Sequence, residues 1–214
     1  MNPDISKLAV FGATGGTGRL LVEKALEAGL EVTAFVRDPA RLSLRHPALR
    51  VVVGDVLDPD AVGAAVAGQD AVACCLGAPA LSKARLRTRG TAVIVDAMER
   101  HGVHRLVCQS SYGVGDTAEL LPWFLKWVVV PLYLSRAFAD HDAQETLVRD
   151  SELAWTLVRP PTLTDGPATG VIVHGLRLDP SVLAMKVPRA DVAAFMLGQM
   201  GSDAYLRQAP VVSA

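Results

Sequence analysis

Cysteine is scarce: the chain has three in 214 residues, Cys74, Cys75 and Cys108. None belongs to a Cys-x-x-Cys pair, and adjacent cysteines rarely bond each other. A disulfide scaffold and a thiolate metal cluster are therefore excluded, and all three read as small apolar core residues. Net charge is also nearly absent, at −1, so nothing general attracts nucleic acid or an anionic membrane. No apolar run reaches the roughly 18 to 20 residues of a spanning helix. The greasiest stretch, Leu120–Leu134, is interrupted by Pro122, Lys126 and Pro131. Met1–Ser6 lacks the basic-then-apolar layout of a secretory signal. With its cysteines read as reduced, the protein is expected in the cytoplasm.

Hydrophobic residues are plentiful, at 50%, enough for a sizeable core. Their spacing alternates between two patterns. Short continuous apolar runs, suited to strands covered on both faces, occur at Lys7–Phe11, Val32–Val36, Val51–Val53, Ala71–Leu76, Leu106–Gln109 and Ala154–Val158. Between them lie segments with helical spacing at Gly18–Ala28, Asp60–Ala67, Thr88–His101 and Asp140–Asp150. Strands alternating with helices predict an α/β fold, a doubly wound parallel sheet of strand order 3-2-1-4-5-6 in a single domain over 1–214. Residues from about 160 to 214 are too few for a second domain and are expected to cap the substrate side of the sheet.

The first strand runs into Gly12-Ala13-Thr14-Gly15-Gly16-Thr17-Gly18 and then a helix. That is the context in which a glycine-rich turn holds a dinucleotide. Gly12 permits the tight turn, Gly15 lets the backbone approach a pyrophosphate, and Gly18 allows close helix–strand packing. Gly16 and Thr17 supply backbone N–H groups at the helix start, with Thr14 nearby. The second strand ends in Arg37, and Arg41 follows one turn later. An acid at this place binds the 2′-hydroxyl of NAD; two guanidinium groups suit the 2′-phosphate of NADP. The expected cofactor is therefore NADP(H). Asp55 and Val56, after the third strand, are placed to flank the adenine, though Asp55 also suits a plain turn or helix cap.

Phe11-Gly12-Ala13-Thr14-Gly15, Val36-Arg37-Asp38, Gly54-Asp55-Val56, Gly68-Gln69-Asp70-Ala71-Val72, His101-Gly102-Val103 and Arg159-Pro160-Pro161 together resemble the atypical short-chain dehydrogenase/reductase group. The nearest likeness is to its flavin reductase / biliverdin reductase B type and NmrA-like relatives, and it extends from Lys7 to about Met200. The resemblance implies that Leu76, Gly77 and Ala78 line the middle of the cofactor. It also implies that Ser110 and Ser111 sit beside the nicotinamide, facing Pro160, Pro161 and Thr162. It implies a flat, conjugated substrate stacked there. Two places depart from the biliverdin reductase B pattern: Thr162 stands where a histidine follows the prolines, and the loop Tyr112-Gly113-Val114-Gly115-Asp116 differs.

Ordinary short-chain dehydrogenases use Tyr-x-x-x-Lys for proton transfer. Here the residues four places after Tyr112, Tyr133 and Tyr205 are Asp116, Ala137 and Ala209, so that dyad is missing. Hydride transfer itself needs no acidic residue, because the cofactor carries the chemistry. The catalytic candidates are Ser111, to orient nicotinamide or substrate; Tyr112, as a hydrogen-bond or proton donor; and His141, as a donor near neutral pH, its alternative being a solvated histidine at a helix start. His46, His101, His104 and His174 have no spacing that makes a metal site. Lys83, Arg85, Arg87 and Arg89 read as a solvated helix face or as help for an anion. Trp123 and Trp127 lie in an apolar segment expected to line the substrate pocket or a dimer interface, with plain core as the alternative.

These readings predict an NADPH-dependent reductase of a flavin, quinone or similar small planar molecule, as a monomer or homodimer, with no nucleic-acid or membrane partner. Two alternatives stay open: an isomerase, epimerase or other tailoring enzyme on the same scaffold, and an NADP(H)-sensing regulator without turnover.

Overall fold

A computed structural model describes residues 5–179 and 183–214. Six strands form one parallel sheet: β1 (Lys7–Phe11), β2 (Glu31–Val36), β3 (Leu49–Val53), β4 (Ala71–Cys74), β5 (Arg105–Gln109) and β6 (Ala154–Val158), in the order β3-β2-β1-β4-β5-β6. The crossovers carry α1 (Gly16–Glu27), α2 (Pro59–Val66), α3 (Leu86–His101) and α4 (Ser135–Asp150). This is the doubly wound sheet that the sequence predicts.

Alternation along each strand sorts the core into two layers. Leu8 and Val10 of β1 face a layer with Leu21, Val22 and Ala25 of α1; Ala9 and Phe11 face the other, with Val62 of α2 and Ile94 and Met98 of α3. Both faces are covered, which is why these strands read as unbroken apolar runs. Cys74, Cys75 and Cys108 are free and buried, as small core residues.

After β6 the chain forms β7 (Thr162–Thr164), β8 (Val173–Gly175), β9 (Lys186–Pro188), α5 (Arg189–Met200) and β10 (Val211–Ser213). β7 pairs with β9, and β10 pairs with β8. Helix α5 lies in the same core layer as α1, through Val192, Ala193 and Met196.

Several element bounds differ from the sequence reading, and two of the differences bear on the site. Strand β4 stops at Cys74, two residues short of Leu76. Helix α4 begins at Ser135 rather than Asp140, because a wide π-helix, residues Leu125–Leu134, runs directly into it with Pro131 inside. Proline has no N–H to give to an α-helical ladder, and none of those ten residues is buried. The segment is neither core nor a regular helix.

Candidate functional site

The strand order reverses between β1 and β4, so the loops after these two strands part and leave a crevice. Its first wall is the glycine turn. Gly12 takes φ +81°, a left-handed conformation that favours glycine, and a Cβ there would strike the Cys75 carbonyl. The Gly15 N–H donates to the Gly12 carbonyl oxygen at 2.9 Å. A Cβ on Gly18 would strike that same carbonyl, so Gly18 lets α1 start hard against the turn. Gly15 caps α1 with its backbone alone: no side chain bonds there, and the first turn holds no acid. The N–H groups at a helix start have no intrahelical partner and carry a partial positive charge. This cradle fits the pyrophosphate of a dinucleotide.

A groove of about 450 Å³ runs from this turn in both directions. At one end it is lined by Arg37, Arg41 and Val56; in the middle by Thr14, Gly16, Thr17, Leu76, Gly77 and Ala78; at the other end by Ser110, Ser111, His141, Pro160 and Pro161. Asp38 does not draw Arg37 away: it caps the 3₁₀ turn Pro39–Arg41, accepting from the Ala40 N–H at 3.0 Å.

Six candidates stand outside the groove lining, Tyr112 among them. Gly18 acts only through its packing on Gly12. Asp55 is exposed and accepts from the Leu57 N–H at 2.9 Å; it is the turn residue that the sequence allowed. Thr162 is exposed at the start of β7, its N–H on the Met185 carbonyl, and Leu163 lines the groove in its place. Trp123 and Trp127 are 72% and 70% exposed and lie outside the groove lining, which corrects the pocket role assigned to them.

Two catalytic assignments also need correction. Tyr112 is buried, and its hydroxyl donates to the Leu120 carbonyl at 3.2 Å. Burial raises its pKa, and the phenol does not line the groove. His141 does line the groove, but from the second turn of α4. Its Nδ1 lies 3.3 Å from Gln144 Oε1. Burial first, and then the charge of Arg87, push its pKa down to about 4. With its pKa held that low, the ring is a poor source of a proton near neutral pH. Ser111 donates to the Tyr112 carbonyl at 3.1 Å.

Beneath the far end lies a network that the sequence reading missed. Arg159, 1% exposed, clamps Glu145 with Nε–Oε1 at 2.8 Å and Nη2–Oε2 at 2.6 Å. Its Nη1 reaches Asp116 at 2.6 Å. The Ser110 hydroxyl donates to Glu145 Oε1 at 2.7 Å. Burial alone would raise the Glu145 carboxyl, but Arg159 and Ser110 more than offset it and hold its pKa below the ordinary value. Ser110 thus sets the shape of the groove floor while its own hydroxyl proton is committed. The available signal was positional: a lone arginine at the end of a buried strand, just before two prolines.

A second tie joins α4 to α3. Asp140 accepts from the Arg87 and Thr88 N–H groups at 3.1 and 3.0 Å. Arg87 also donates to the Ala78 carbonyl at 3.2 Å, which places this residue of the basic stretch in the groove lining. Arg87 Nε and Gln109 Oε1 are buried there without a protein partner among the described residues. Arg189, at the start of α5, lines the middle.

A six-stranded parallel sheet with a glycine turn at its switch point and arginines at the tip of β2 defines a dinucleotide-binding α/β protein. The chain belongs to the NAD(P)H-binding family, whose model matches residues 12–203. It is 36% identical over 208 residues to a 3-diazoavenalumate denitrifying reductase of a Streptomyces species, covering 85% of this chain and 64% of that protein. It is 33% identical over 182 residues to an uncharacterised chloroplastic protein of Arabidopsis thaliana, covering 78% of this chain and 62% of that one. The chain therefore spans a little under two thirds of these relatives' length. Among solved structures, an anaerobilin reductase from Escherichia coli superposes with TM-score 0.82 at 24% identity, covering 97% of this chain and 96% of the other. A short-chain dehydrogenase/reductase from Veillonella parvula, solved with NADP, gives TM-score 0.83 at 18% identity, covering 98% and 94%. These two likenesses are of fold. Among the described residues, no helix is long and apolar enough to cross a membrane.

Proposed function

We propose that this protein is an NADPH-dependent reductase of a flat, conjugated small molecule such as a flavin or quinone. The observation that carries the reading is the chemistry at the far end of the groove. Ser111 and two prolines sit beside a His141 held neutral, while the Tyr112 phenol is turned to a backbone carbonyl. When bound, the cofactor supplies the hydride. The protein's share is to hold the acceptor flat against Pro160 and Pro161 and to orient it with Ser111. An acceptor that delocalises the incoming charge takes its proton from water and needs no acid from the protein. The Streptomyces relative, named a reductase, agrees with this class of reaction. The two arginines at the tip of β2 favour NADP(H) over NAD(H).

The test is loss of NADPH absorbance with flavin mononucleotide or a naphthoquinone as acceptor. Turnover is expected with at least one of them. Exposure of Trp123, Phe124, Trp127, Leu132 and Tyr133 favours a second reading, a regulator that binds NADP(H) and offers this surface to a partner. Equal affinity for both redox forms, with no turnover across an acceptor panel, would select it. Ser111→Ala is expected to lower turnover and spare cofactor binding; unchanged turnover removes Ser111 from the mechanism.

A further inference from the structure

Arg189 is the first residue of α5, far in sequence from the glycine turn, yet its side chain lies on that turn. A Cβ built on Gly16 would stand 2.6 Å from Arg189 Cδ, 2.8 Å from Nε and 3.6 Å from the guanidinium carbon. Gly16 is therefore glycine partly because the arginine stem occupies the space beside it. Three further observations bear on what the guanidinium does there. It lines the groove together with Gly12, Gly15, Gly16 and Thr17. Among the described residues its ionic partner is Asp165, through Nη1. Asp165 is itself 88% exposed while Arg189 is 26% exposed, and a pair so open to water holds weakly.

We propose that Arg189 is a pyrophosphate clamp: its guanidinium takes a phosphate oxygen of the dinucleotide held on the Gly16 and Thr17 amides, and Asp165 competes with that phosphate for it. This rests on the dinucleotide reading of the groove and deepens it. The physical argument has two parts. An anion on the start of α1 gains from backbone N–H groups and the helix dipole, and a planar guanidinium beside it adds a charge-assisted bond. The pyrophosphate carries two negative charges and is held by the turn's amides as well, whereas Asp165 is a single carboxylate in open solvent, so Arg189 transfers to the pyrophosphate. Asp165 then acts as a resident anion that lowers affinity until it is displaced.

The position also separates two recognition tasks. Arg37 and Arg41 meet the one group that NADP has and NAD lacks. Arg189 meets the group that both share. Its removal should therefore weaken both cofactors by the same factor, a pattern that a 2′-phosphate ligand does not produce.

The experiment is calorimetric titration of NADP and NAD into wild type, Arg189→Met, Arg189→Lys, Asp165→Asn and the Arg189→Met/Asp165→Asn double variant, with circular dichroism to confirm folding. Arg189→Met should raise both dissociation constants about tenfold, and Arg189→Lys should recover part of the loss. Asp165→Asn should tighten both cofactors two- to fivefold in the wild-type background and do nothing once Arg189 is Met. Unchanged affinity in Arg189→Met overturns the clamp while leaving the groove reading intact. Loss confined to NADP moves Arg189 to the 2′-phosphate and likewise overturns it. Asp165→Asn weakening both cofactors marks the ion pair as a structural tie and overturns the competition. Wild type binding neither dinucleotide overturns the clamp and the groove reading together.

Discussion

The two ends of the groove are built by different means. The cofactor end is made of backbone: a left-handed Gly12, a Gly15 amide folded back on it, and a Gly18 that admits the helix. The far end is made of side-chain pairs that reach across the fold: Arg159 with Glu145 and Asp116, Ser110 with Glu145, and Asp140 with Arg87 and Thr88. The first kind of site tolerates change wherever no Cβ is introduced. The second fails when a buried partner is lost, because Arg159, Glu145 and Asp140 are already out of water. The largest effect should appear there. Glu145→Ala leaves Arg159 buried, with only the exposed Asp116 to answer its charge. Breaking a buried pair by removing one partner costs about 3–5 kcal/mol, and urea denaturation should show a loss of that size. Glu145→Gln should cost less, since the amide oxygen still accepts from Arg159. Equal losses in the two variants would mean that shape, not charge, matters at this site.

A second contrast uses pH. The glycine turn carries no ionisable side chain of its own, whereas the far end carries His141. Burial and Arg87 lower its pKa from 6.5 to about 4; Gln144, Asp140 and Glu145 act in the opposite direction. The unfolded chain therefore binds the proton more readily than the folded one. Stability from the neutral imidazole is complete above about pH 6.5 and is lost as the pH falls towards 4. The amount is up to roughly 3 kcal/mol. Thermal melts between these limits should show the decline. It should flatten in His141→Gln, because glutamine does not titrate. A melt that is equally steep in both proteins would place the proton uptake on the Glu145 and Asp140 carboxylates instead.

This difference in construction also explains what could be read from the chain. The glycine turn was legible because each demand on it is local: three glycines, a strand before and a helix after. Strand order followed from six apolar runs and the handedness of crossovers. Glu145 and Arg159 are 14 residues apart and Arg87 and Asp140 are 53 apart, and nothing in the periodicity of either segment marks one as the partner of the other. The sequence sets Tyr112 just after β5 and His141 on α4, but not where the hydroxyl points or how deeply the ring is buried. A hydroxyl's direction and a ring's burial are tertiary facts. Arg189 was invisible for the same reason. It stands on the last helix and acts on the first.

At the cofactor end the expected effects are smaller and selective. Arg37→Ala removes a guanidinium from the tip of β2 and leaves the turn unchanged. NADP affinity should fall about tenfold, the worth of one charge-assisted bond to an exposed phosphate, with NAD nearly unaffected. Calorimetry with both cofactors checks this. Equal binding of the two before and after the change would show that the groove does not discriminate by the 2′-phosphate, and that Arg41 and Arg37 are solvated.

The smallest effect is expected outside both ends. Trp123 and Trp127 belong to the irregular segment before α4 and are largely in water, Lys126 lying 5.7 Å over the Trp127 ring. Replacing exposed side chains whose contacts are only with other exposed groups usually shifts stability by no more than about 0.5 kcal/mol. Trp123→Ser combined with Trp127→Ser should therefore melt like the wild type and turn over acceptor at the same rate. A collapse of turnover with stability intact would contradict this expectation and place the two rings against the bound substrate. A shift from dimer to monomer in sedimentation, with turnover unchanged, would instead assign the rings to a subunit interface, where two copies hide what one copy leaves in water.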